Sequence, residues 1–525
     1  MGVRGRESAR PFTNLPAPVR ILFSVSHFGF LRNFEPALRL LAERGHTVHL
    51  LADRQDRLGG TRTIDNLTAA VPGAFTFGYA PSRKNDAFHL LAIQLRLCLD
   101  YWRYLEPRYD QAASLRARAA RQAPALAVRL AAWPGVRSRL GLRMLRAAGR
   151  RLERALPYGR VPEEVLREQH PDVMLVTPLL YFGSPQVDMV RAARDQGIPV
   201  CHCVGSWDHL TTKGMIHEIP DRMTVWNAAQ RTEAAEIHGV PPERVVVTGA
   251  QAYDHWFTAE PSTSREAFCA KVGLSPDRPI LLYLCSSPFI APHEVPFVRR
   301  WLAALRGAAD PRVRTASILI RPHPQNAEQW RDAVIADPDV AVHPRAGANP
   351  VDADARADYF DSMFHATAVV GVNTSAQIES GIVGRPVCAI QTEDFAGTQE
   401  GTLHFQHLKS VNGGLLHLAP RLDVHVEQVS AILADPGTYA ARSRAFVETF
   451  VRPNGLAAPA AEHFVAAVEA LAGTHPVPRH RPALDRLLIR MLRPMARAVE
   501  QASARQKASR KAANREAGNR EAAVP

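Results

Sequence analysis

Two side chains that can bind an anion, Arg321 and His323, alternate with prolines in the sequence Arg-Pro-His-Pro. The three apolar residues 318–320 before them predict that the strand 317–320 is buried on both faces, as in a parallel sheet. Each proline restricts the preceding residue to an extended conformation, so the chain is stiff where the cation and the imidazole lie. Because ligands bind at the carboxyl ends of strands in open α/β sheets, the segment predicts a site for an anionic ligand. The alternative is a surface turn with a solvated histidine.

Asn373 opens a second polar segment, directly after another apolar run. Thr374 and Gln377 have the spacing of a capping box, which predicts that a helix begins there. The free backbone N–H groups and the positive dipole end of such a helix favour a phosphate. Ser375 and Glu379 are four residues apart and share a helical face, so they could bind a phosphate and a ribose hydroxyl respectively. The alternative is a simple cap followed by an exposed glutamate.

The first half of the chain offers candidates for proton transfer. His27 follows the predicted strand 19–25, and an imidazole suits general-base catalysis near neutral pH. Asp208 and Lys213 follow a later predicted strand, 199–204. The carboxylate is a second candidate base, and the ammonium could contact a phosphate. As isolated polar residues in loops, all three could instead be structural.

Two patterns resemble parts of metal sites, and neither is complete. Asp352 and Asp354 are separated by one residue, but Ala-Gly-Ala-Asn-Pro rather than a hydrophobic strand precedes them. Cys201 and Cys203 flank a histidine in an apolar run with no second ligand pair, which indicates buried thiols. We therefore expect no catalytic metal and no cofactor.

The elements that must position these residues alternate between strand and helix in both halves of the chain. Predicted strands in the first half are 19–25, 47–51, 173–176, 199–204, 223–226 and 245–248, with helices near 33–44 and 187–195. Predicted strands in the second half are 280–284, 317–320, 341–343, 368–372 and 387–390, with a last helix near 460–471. A connection near 254–275 separates the halves. The pattern predicts an α/β fold of two doubly wound, Rossmann-like domains, 19–255 and 256–475, facing each other across a cleft.

Positive charge is concentrated in two segments outside this alternation. Residues at about 86–156 predict an Arg-rich helical insertion, and residues 89–156 contain fourteen arginines and four acids. From residue 479 to the end, twelve Lys and Arg accompany four acids. The chain carries +13, so the remaining residues have a net charge of −5. A nucleic-acid enzyme would more naturally carry positive charge around its cleft, and we expect no nucleic-acid partner.

The last segment, 476–525, begins with a predicted basic amphipathic helix. Seven apolar residues fall at helical spacing, with arginines between them: Leu484, Leu487, Leu488, Met491, Leu492, Met495 and Val499. Such a helix can lie on an anionic membrane surface, and packing on its own domain is the alternative. No apolar run has transmembrane length and no signal-peptide pattern is present, so we expect a cytoplasmic protein, peripheral on the inner face of the plasma membrane. We expect residues 1–18 and the end of the tail to be disordered.

These segments together resemble GT-B glycosyltransferases over residues 19–90 and 160–470. The βαβ opening, with His27 in its first loop and Arg-Gly-His before the second strand, is similar to their N-terminal half. The Arg-Pro-His-Pro segment and the segment from Asn373 to Gly-Arg-Pro are similar to their donor half, specifically to the CDP-glycerol glycerophosphotransferase-like and UDP-N-acetylglucosamine 2-epimerase-like branch.

The resemblance implies two Rossmann-like domains and a nucleotide-diphosphate donor. It also implies that His323 serves the diphosphate, that Thr374 and Ser375 match a serine pair of the glycerophosphotransferases, and that His27 lies on the acceptor side. The expected activity is metal-independent transfer of a glycosyl group to a lipid-linked or cell-surface glycan acceptor. A CDP-glycerol-type polyol-phosphate transferase, a UDP-N-acetylglucosamine 2-epimerase and a non-enzymatic membrane-associated scaffold are the alternatives.

Overall fold

The protein folds around two parallel β-sheets. The structure, a computed structural model, describes residues 17–55, 60–83, 86–350, 352–479 and 482–521. Residues 1–16, most of the segment predicted to be disordered, and residues 522–525 of the predicted tail lie outside these ranges. No helix of the described residues is long and apolar enough to cross a membrane.

The first sheet contains seven strands and the second contains six. The strands of the first sheet are β1 (Arg20–Val25), β2 (Thr47–Ala52), β3 (Phe75–Tyr79), β4 (Val173–Thr177), β5 (Val200–Cys203), β6 (Arg222–Val225) and β7 (Val245–Val247). The strands of the second sheet are β8 (Ile280–Leu284), β9 (Ser317–Arg321), β10 (Val340–Val342), β11 (Ala368–Gly371), β12 (Val387–Ile390) and β13 (Leu416–Ala419).

The α-helices cover both faces of each sheet and build the insertion. Those of the first half are α1 (Glu35–Glu43), α2 (Gly60–Ala70), α3 (Ala87–Arg103), α4 (Ala113–Gln122), α5 (Ala125–Ala132), α6 (Pro134–Arg137), α7 (Arg139–Ala155), α8 (Arg160–Gln169), α9 (Gln186–Asp195), α10 (His209–Thr212) and α11 (Ala228–His238). Those of the second half are α12 (Arg265–Val272), α13 (Val295–Arg306), α14 (Pro311–Arg314), α15 (Glu328–Arg331), α16 (Ala353–Phe364), α17 (Ala376–Ile382), α18 (Phe405–Ser410), α19 (Leu422–Ala434), α20 (Pro436–Phe450), α21 (Ala460–Ala472) and α22 (Ala483–Glu521).

Both sheets have the strand order of a Rossmann fold. The first runs β3-β2-β1-β4-β5-β6-β7 and the second β10-β9-β8-β11-β12-β13, with all neighbours parallel. The order reverses between β1 and β4 in one sheet and between β8 and β11 in the other. A crevice forms outside the carboxyl ends of the strands at such a point. The central strands β4, β8 and β9 are buried at every residue, as the apolar runs predicted.

The expected α/β class and the two doubly wound domains are confirmed, with differences at three elements. Strands β3 and β13 were not predicted. Helix α21 packs against the core of the first domain, where Phe464 and Val468 contact it, although the sequence placed this helix at the end of the second domain. Helix α22 continues to Glu521 through most of the tail that was expected to be disordered. Its Ala, Lys, Arg and Glu residues have high helix propensity, which explains the longer helix.

The insertion is helical, as predicted, and it is attached to the first domain by buried ion pairs. Arg96 on α3 is 0% exposed and its guanidinium lies between the carboxylates of Glu153 (2.7 Å) and Asp188. Arg191 on α9 also pairs with Glu153, at 2.6 Å. Arg96 of this segment is therefore a structural counter-ion inside the fold.

Candidate functional site

A cavity of about 940 Å³ lies between the two domains, at the carboxyl ends of both sheets. The first domain contributes Phe30, Arg32, Asp208, His209 and Lys213 to its wall. The second domain contributes a similar set of polar residues, namely Arg321, His323, Thr374, Ser375 and Glu379. The cavity therefore brings together predicted site residues from both domains.

His323 presents one ring nitrogen to this cavity. The residue is extended (φ −69°, ψ 133°), as expected before a proline, and its Nδ1 accepts a hydrogen bond from the backbone N–H of Gln325 at 3.2 Å. Burial, together with the nearby charge of Arg32, lowers the pKa of His323 to about 4. The imidazole is therefore neutral at pH 7, and its proton is on Nε2 because Nδ1 is an acceptor. A neutral donor in this position suits a phosphate oxygen.

Arg321 differs from its expected role as a ligand. Its guanidinium donates to Asp358 at 2.8 Å and to the hydroxyl of Ser362 at 2.7 Å, and it lies over the ring of Tyr359 at 5.0 Å. A buried guanidinium needs a counter-charge, and helix α16 supplies one in Asp358. The side chain thus borders the cavity with its charge already paired.

The predicted capping box forms only in part at the start of α17, because the backbone N–H of Gln377 donates to the carbonyl of Thr374 and not to its hydroxyl. The backbone N–H of Thr374 donates to Oε1 of Gln377 at 3.2 Å, and the N–H of Ala376 donates to the hydroxyl of Thr374 at 3.4 Å. Ser375 is exposed on the cavity wall. Helix α17 has only seven residues, so its dipole is weaker than the sequence argument assumed.

Asn373 is the exception among the predicted ligands of this loop. It is 3% exposed and does not line the cavity. Its side-chain amide donates to the carbonyl of Thr398 at 3.3 Å and lies 3.5 Å from the hydroxyl of Thr402. The residue holds the loop in place.

Glu379 lies on the cavity wall one helical turn beyond Ser375. The hydroxyl of Tyr359 donates to its Oε2 at 2.5 Å. Burial raises the pKa of Glu379 to about 6, against the opposing effects of this hydrogen bond and of the Arg32 charge. The group is therefore largely ionised at pH 7 and can accept hydrogen bonds from vicinal hydroxyls.

Asp208 and Lys213 face the same cavity from the first domain. The carboxylate accepts hydrogen bonds from Ser206 (2.6 Å) and Thr212 (2.9 Å), and it lies 3.7 Å from the ammonium of Lys213. Burial alone would raise the pKa of Asp208, but the charges of Lys213, His209 and His404 and the Ser206 hydrogen bond together outweigh burial and hold the pKa well below its usual range. Such a carboxylate is a weak base.

The insertion holds the loop that carries these two residues. Arg103, the last residue of α3, and Tyr104, which follows it, donate to the carbonyl of Lys213, at 2.5 and 2.7 Å. Asp100, one turn earlier, accepts from the backbone N–H groups of Gly183 (2.8 Å) and Met215 (2.7 Å). The Arg-rich segment thus fixes one wall of the cavity, a role that its composition did not indicate.

His27 does not line the cavity, but a second histidine does. The ring of His27 packs against Phe30, with centroids 4.6 Å apart, and Phe30 in turn contacts His209 at 5.9 Å. His209 is on the wall, and its Nδ1 has no hydrogen-bond partner among the described residues. Burial lowers the pKa of His209 to about 4, partly opposed by Asp208, so the ring is neutral at pH 7.

Arg32 and His209 are two charged or titratable wall residues that the sequence did not predict as part of the site. Arg32 is exposed to the cavity, and its charge lowers the pKa of both His323 and Glu379 across the cleft. No local motif marks either residue, because each becomes part of a site only when the second domain forms the other wall of the cavity. The only available signal was their position a few residues beyond a predicted strand.

Three residues of the partial metal patterns have structural roles. Asp352 caps α16, where its carboxylate accepts from the N–H of Ala355 at 2.8 Å. Cys201 and Cys203 are buried in β5, as expected. Within the described ranges, no group of three or more His, Cys, Asp or Glu is placed to hold a metal ion.

The comparisons with known proteins are structural. No protein-family model matches the sequence, and no curated protein is significantly similar to it. A solved structure described as a candidate UDP-N-acetylglucosamine 2-epimerase from Listeria monocytogenes is 12% identical and superimposes with a TM-score of 0.50, covering 89% of this chain and all of the other. A glycosyltransferase from Rickettsia africae is 9% identical with a TM-score of 0.49, covering 87% of this chain and all of the other.

The likeness to the Listeria structure covers most of this chain. At 12% identity it concerns the fold alone. It agrees with the two Rossmann-ordered sheets and with the cavity between them. This chain therefore has the GT-B fold of glycosyltransferases and UDP-N-acetylglucosamine 2-epimerases.

Proposed function

We propose that this protein is a GT-B glycosyltransferase that moves a glycosyl group from a nucleotide-diphosphate donor to a lipid-linked or cell-surface glycan acceptor. The observation that carries the proposal is the arrangement of the cleft wall. A carboxylate that can hold ribose hydroxyls, Glu379, lies one helical turn from Ser375, with neutral His323 on the adjacent loop. Arg32 faces both from the other domain.

In the proposed donor site, different residues bind the ribose, bind the diphosphate and stabilise the leaving group. Glu379 accepts hydrogen bonds from the ribose, while the Nε2–H of His323 and the hydroxyls of Thr374 and Ser375 donate to the diphosphate. Arg32, with Lys213 further along the wall, offsets the charge that develops on the leaving phosphate. Donors fixed in advance at such a position stabilise a transition state more than a ground state. We propose that this set replaces a catalytic metal.

The acceptor hydroxyl must lose a proton as the new bond forms. His209 is our preferred base, because it is neutral and lies on the wall next to Asp208. Asp208, whose pKa is depressed, then serves to orient this wall and to stabilise a protonated His209. His27 lies behind Phe30 and supports the wall from that position.

We include a membrane-bound acceptor and a peripheral cytoplasmic location in the proposal. The membrane-bound acceptor and the peripheral location are supported by the basic, partly exposed helix α22, and the residues of the cleft give no support for either. A transferase that extends lipid-linked or surface glycans works on acceptors held at a membrane.

An epimerase is the second candidate, and the fold likeness to the Listeria protein favours it. Incubation with UDP-N-acetylglucosamine alone separates the two, because epimerisation needs no acceptor. Appearance of the 2-epimer, followed by NMR, would replace the transferase proposal. If CDP-glycerol binds and sugar nucleotides do not, the cleft serves a polyol-phosphate transferase instead.

The donor class is tested first by thermal shift with UDP, CDP, GDP and their sugar conjugates. A ligand that binds only the folded state raises the melting temperature. We expect one nucleotide series to stabilise wild type and to have less effect on Glu379→Ala. If no nucleotide stabilises the protein, the enzyme proposal fails and a non-catalytic scaffold becomes the better account.

A further inference from the structure

Helix α22 carries two apolar stripes, of which the fold uses only one. Leu492 and Ala496 are buried against Leu91 and Ala92 of α3. The other stripe faces solvent, with side chains that are 51–68% exposed: Leu484, Leu487, Met491 and Met495. Packing on the protein itself therefore accounts for only half of the apolar face that the sequence showed.

The insertion exposes a comparable set of apolar side chains. On α5 to α7 these are Leu126, Trp133, Leu140 and Met144, each 65–68% exposed. Leu140 and Met144 are four residues apart on α7 and so form one stripe. Single exposed apolar side chains are common on protein surfaces. A cluster of them on adjacent helices is unusual and marks an interaction site.

Helices α7 and α22 are joined by an ion pair. Arg151 lies seven residues beyond Met144, on the same face of α7, and its guanidinium is 2.5 Å from the carboxylate of Asp485. Asp485 adjoins Leu484, the first residue of the exposed stripe on α22. Because α7 and α22 contact each other, their exposed apolar residues lie on adjoining helices, and we call these residues together the docking surface.

The charge around the docking surface is of one sign. Exposed arginines flank both stripes: Arg129, Arg137, Arg139, Arg143, Arg150 and Arg154 on the insertion, and Arg486, Arg490, Arg493 and Arg497 on α22. Residues 125–155 and 483–499 contain two acids, Glu153 and Asp485. Both are buried and ion-paired, with Arg96 and Arg151 respectively. No exposed carboxylate in these two segments offsets the arginines.

We infer that the insertion helices α5–α7 and the exposed stripe of α22 form one composite surface that docks on an anionic lipid membrane. Apolar side chains enter the boundary between headgroups and acyl chains, and the arginines bind the acidic headgroups while their stems cover apolar surface. A second copy of the chain would bring arginines against arginines, which repel. The inference does not depend on the activity in the cleft, and it gives the insertion a second role besides holding the Lys213 loop.

Flotation of the full-length protein with lipid vesicles tests the apolar component. Vesicles that contain phosphatidylglycerol are expected to bind the protein, and pure phosphatidylcholine vesicles are not. Leu140→Ser/Met144→Ser on α7 and Leu487→Ser/Met491→Ser on α22 should each lower the vesicle-bound partition by about tenfold or more. Val334→Ser, at a 75% exposed residue of the second domain, is the matched control and should bind as wild type. If the α22 pair alone weakens binding, the composite surface is wrong.

The arginines are tested in the same assay. Arg139→Gln/Arg143→Gln should weaken binding by about fivefold for each charge removed, and added salt should weaken wild type further. Arg444→Gln, whose side chain is 74% exposed on the second domain, is the control. Sedimentation velocity distinguishes a protein interface. If the serine variants dissociate an oligomer but bind vesicles as wild type does, the surface joins copies of this chain and the membrane inference is overturned.

Discussion

Glu379 and His323 should respond differently to pH, although both lie on the same wall. Burial lowers the pKa of His323 to about 4, so it stays neutral over the range in which most enzymes work. Burial raises the pKa of Glu379 to about 6, so its charge changes within that range. A ribose-binding carboxylate must be ionised to accept two hydroxyl hydrogen bonds. The pH dependence of donor affinity should therefore follow the ionisation of Glu379.

Glu379→Gln should remove a pH dependence of donor binding. In wild type, affinity for a nucleotide sugar should be constant above about pH 7 and fall by up to about tenfold per pH unit below about pH 6, as Glu379 is protonated. The diphosphate of a nucleotide sugar does not titrate there, so isothermal titration across this range isolates the protein group. The variant should bind more weakly at pH 7 and show little change with pH. An unchanged slope in the variant would assign the titration to another group.

The two arginines at the cleft should separate binding from stability. Arg32→Ala removes an exposed charge that faces His323 and Glu379, so donor affinity should fall by about tenfold with little change in melting temperature. Arg321→Met leaves Asp358 without its closest buried partner, so it should lower the melting temperature. Thermal melts and titrations on both variants give the comparison. The reverse pattern would return the ligand role to Arg321.

The sequence predicted backbone position at the site better than it predicted side-chain partners. Strand ends, prolines and a capping box placed His323, Ser375 and Glu379 correctly on the cleft wall. Arg321 and Asn373 lie at equally suitable backbone positions, but α16 and the loop of Thr398 and Thr402 engage their side chains. A side-chain partner from a distant segment leaves no local pattern in the sequence. Arg32 was not predicted for the same reason, since the residues that it faces belong to the other domain.

At the scale of elements, long apolar runs were predicted and short mixed ones were missed. Strands β8 and β12 have the predicted bounds, because five or four apolar residues in succession stand out. Strand β13 contains a histidine, and β3 is an edge strand on which Phe77 is 57% exposed. Both alternate between apolar and polar or small residues, Phe-Thr-Phe-Gly-Tyr in β3 and Leu-His-Leu in β13, so a period of two was present in the sequence but was not used in the prediction. An edge strand is hydrogen-bonded to a neighbour on one side only, and the order of the strands in the sheet, which decides this, is not a local property of the sequence.

Arg96→Met tests whether buried ion pairs attach the insertion to the first domain. The change leaves the carboxylates of Glu153 and Asp188, which are 1–2% exposed, without their shared counter-ion. Breaking a buried pair in this way costs about 3–5 kcal/mol of the free energy of unfolding. Arg139→Met, an exposed residue of the same insertion, is the matched control and should cost little. Urea denaturation of both variants makes the comparison, and equal midpoints would mean that the apolar contacts hold the insertion alone.

At the scale of the whole molecule, the two basic segments belong to one region. Their charge excess was read from the sequence as two accessories, but α22 packs on α3 and pairs with α7 through Arg151 and Asp485. The sequence therefore predicted that the positive charge lies away from the cleft, but it did not predict that the two basic segments pack together. Which arginines are buried counter-ions and which remain exposed depends on three-dimensional packing, which composition does not contain.

The two domains are also joined on both sides of the cleft. Glu35 pairs with Arg356 at 3.0 Å, and Glu233 pairs with His407 at 2.6 Å. Helix α21 returns to the first domain after the second is complete. These contacts set the separation of the walls, and so they allow one ligand to touch Arg32 and Glu379 together.

The central claim is that a nucleoside diphosphate binds in this cleft through groups of the second domain. Isothermal titration of UDP, CDP and GDP in turn into the full-length protein is its most direct test. The account predicts saturable one-to-one binding of one nucleotide, weakened about tenfold or more by His323→Ala and by Glu379→Ala but not by Glu393→Ala, an exposed carboxylate of the same domain. The absence of binding by all three nucleotides, or equal affinity in wild type and the two cleft variants, would contradict it.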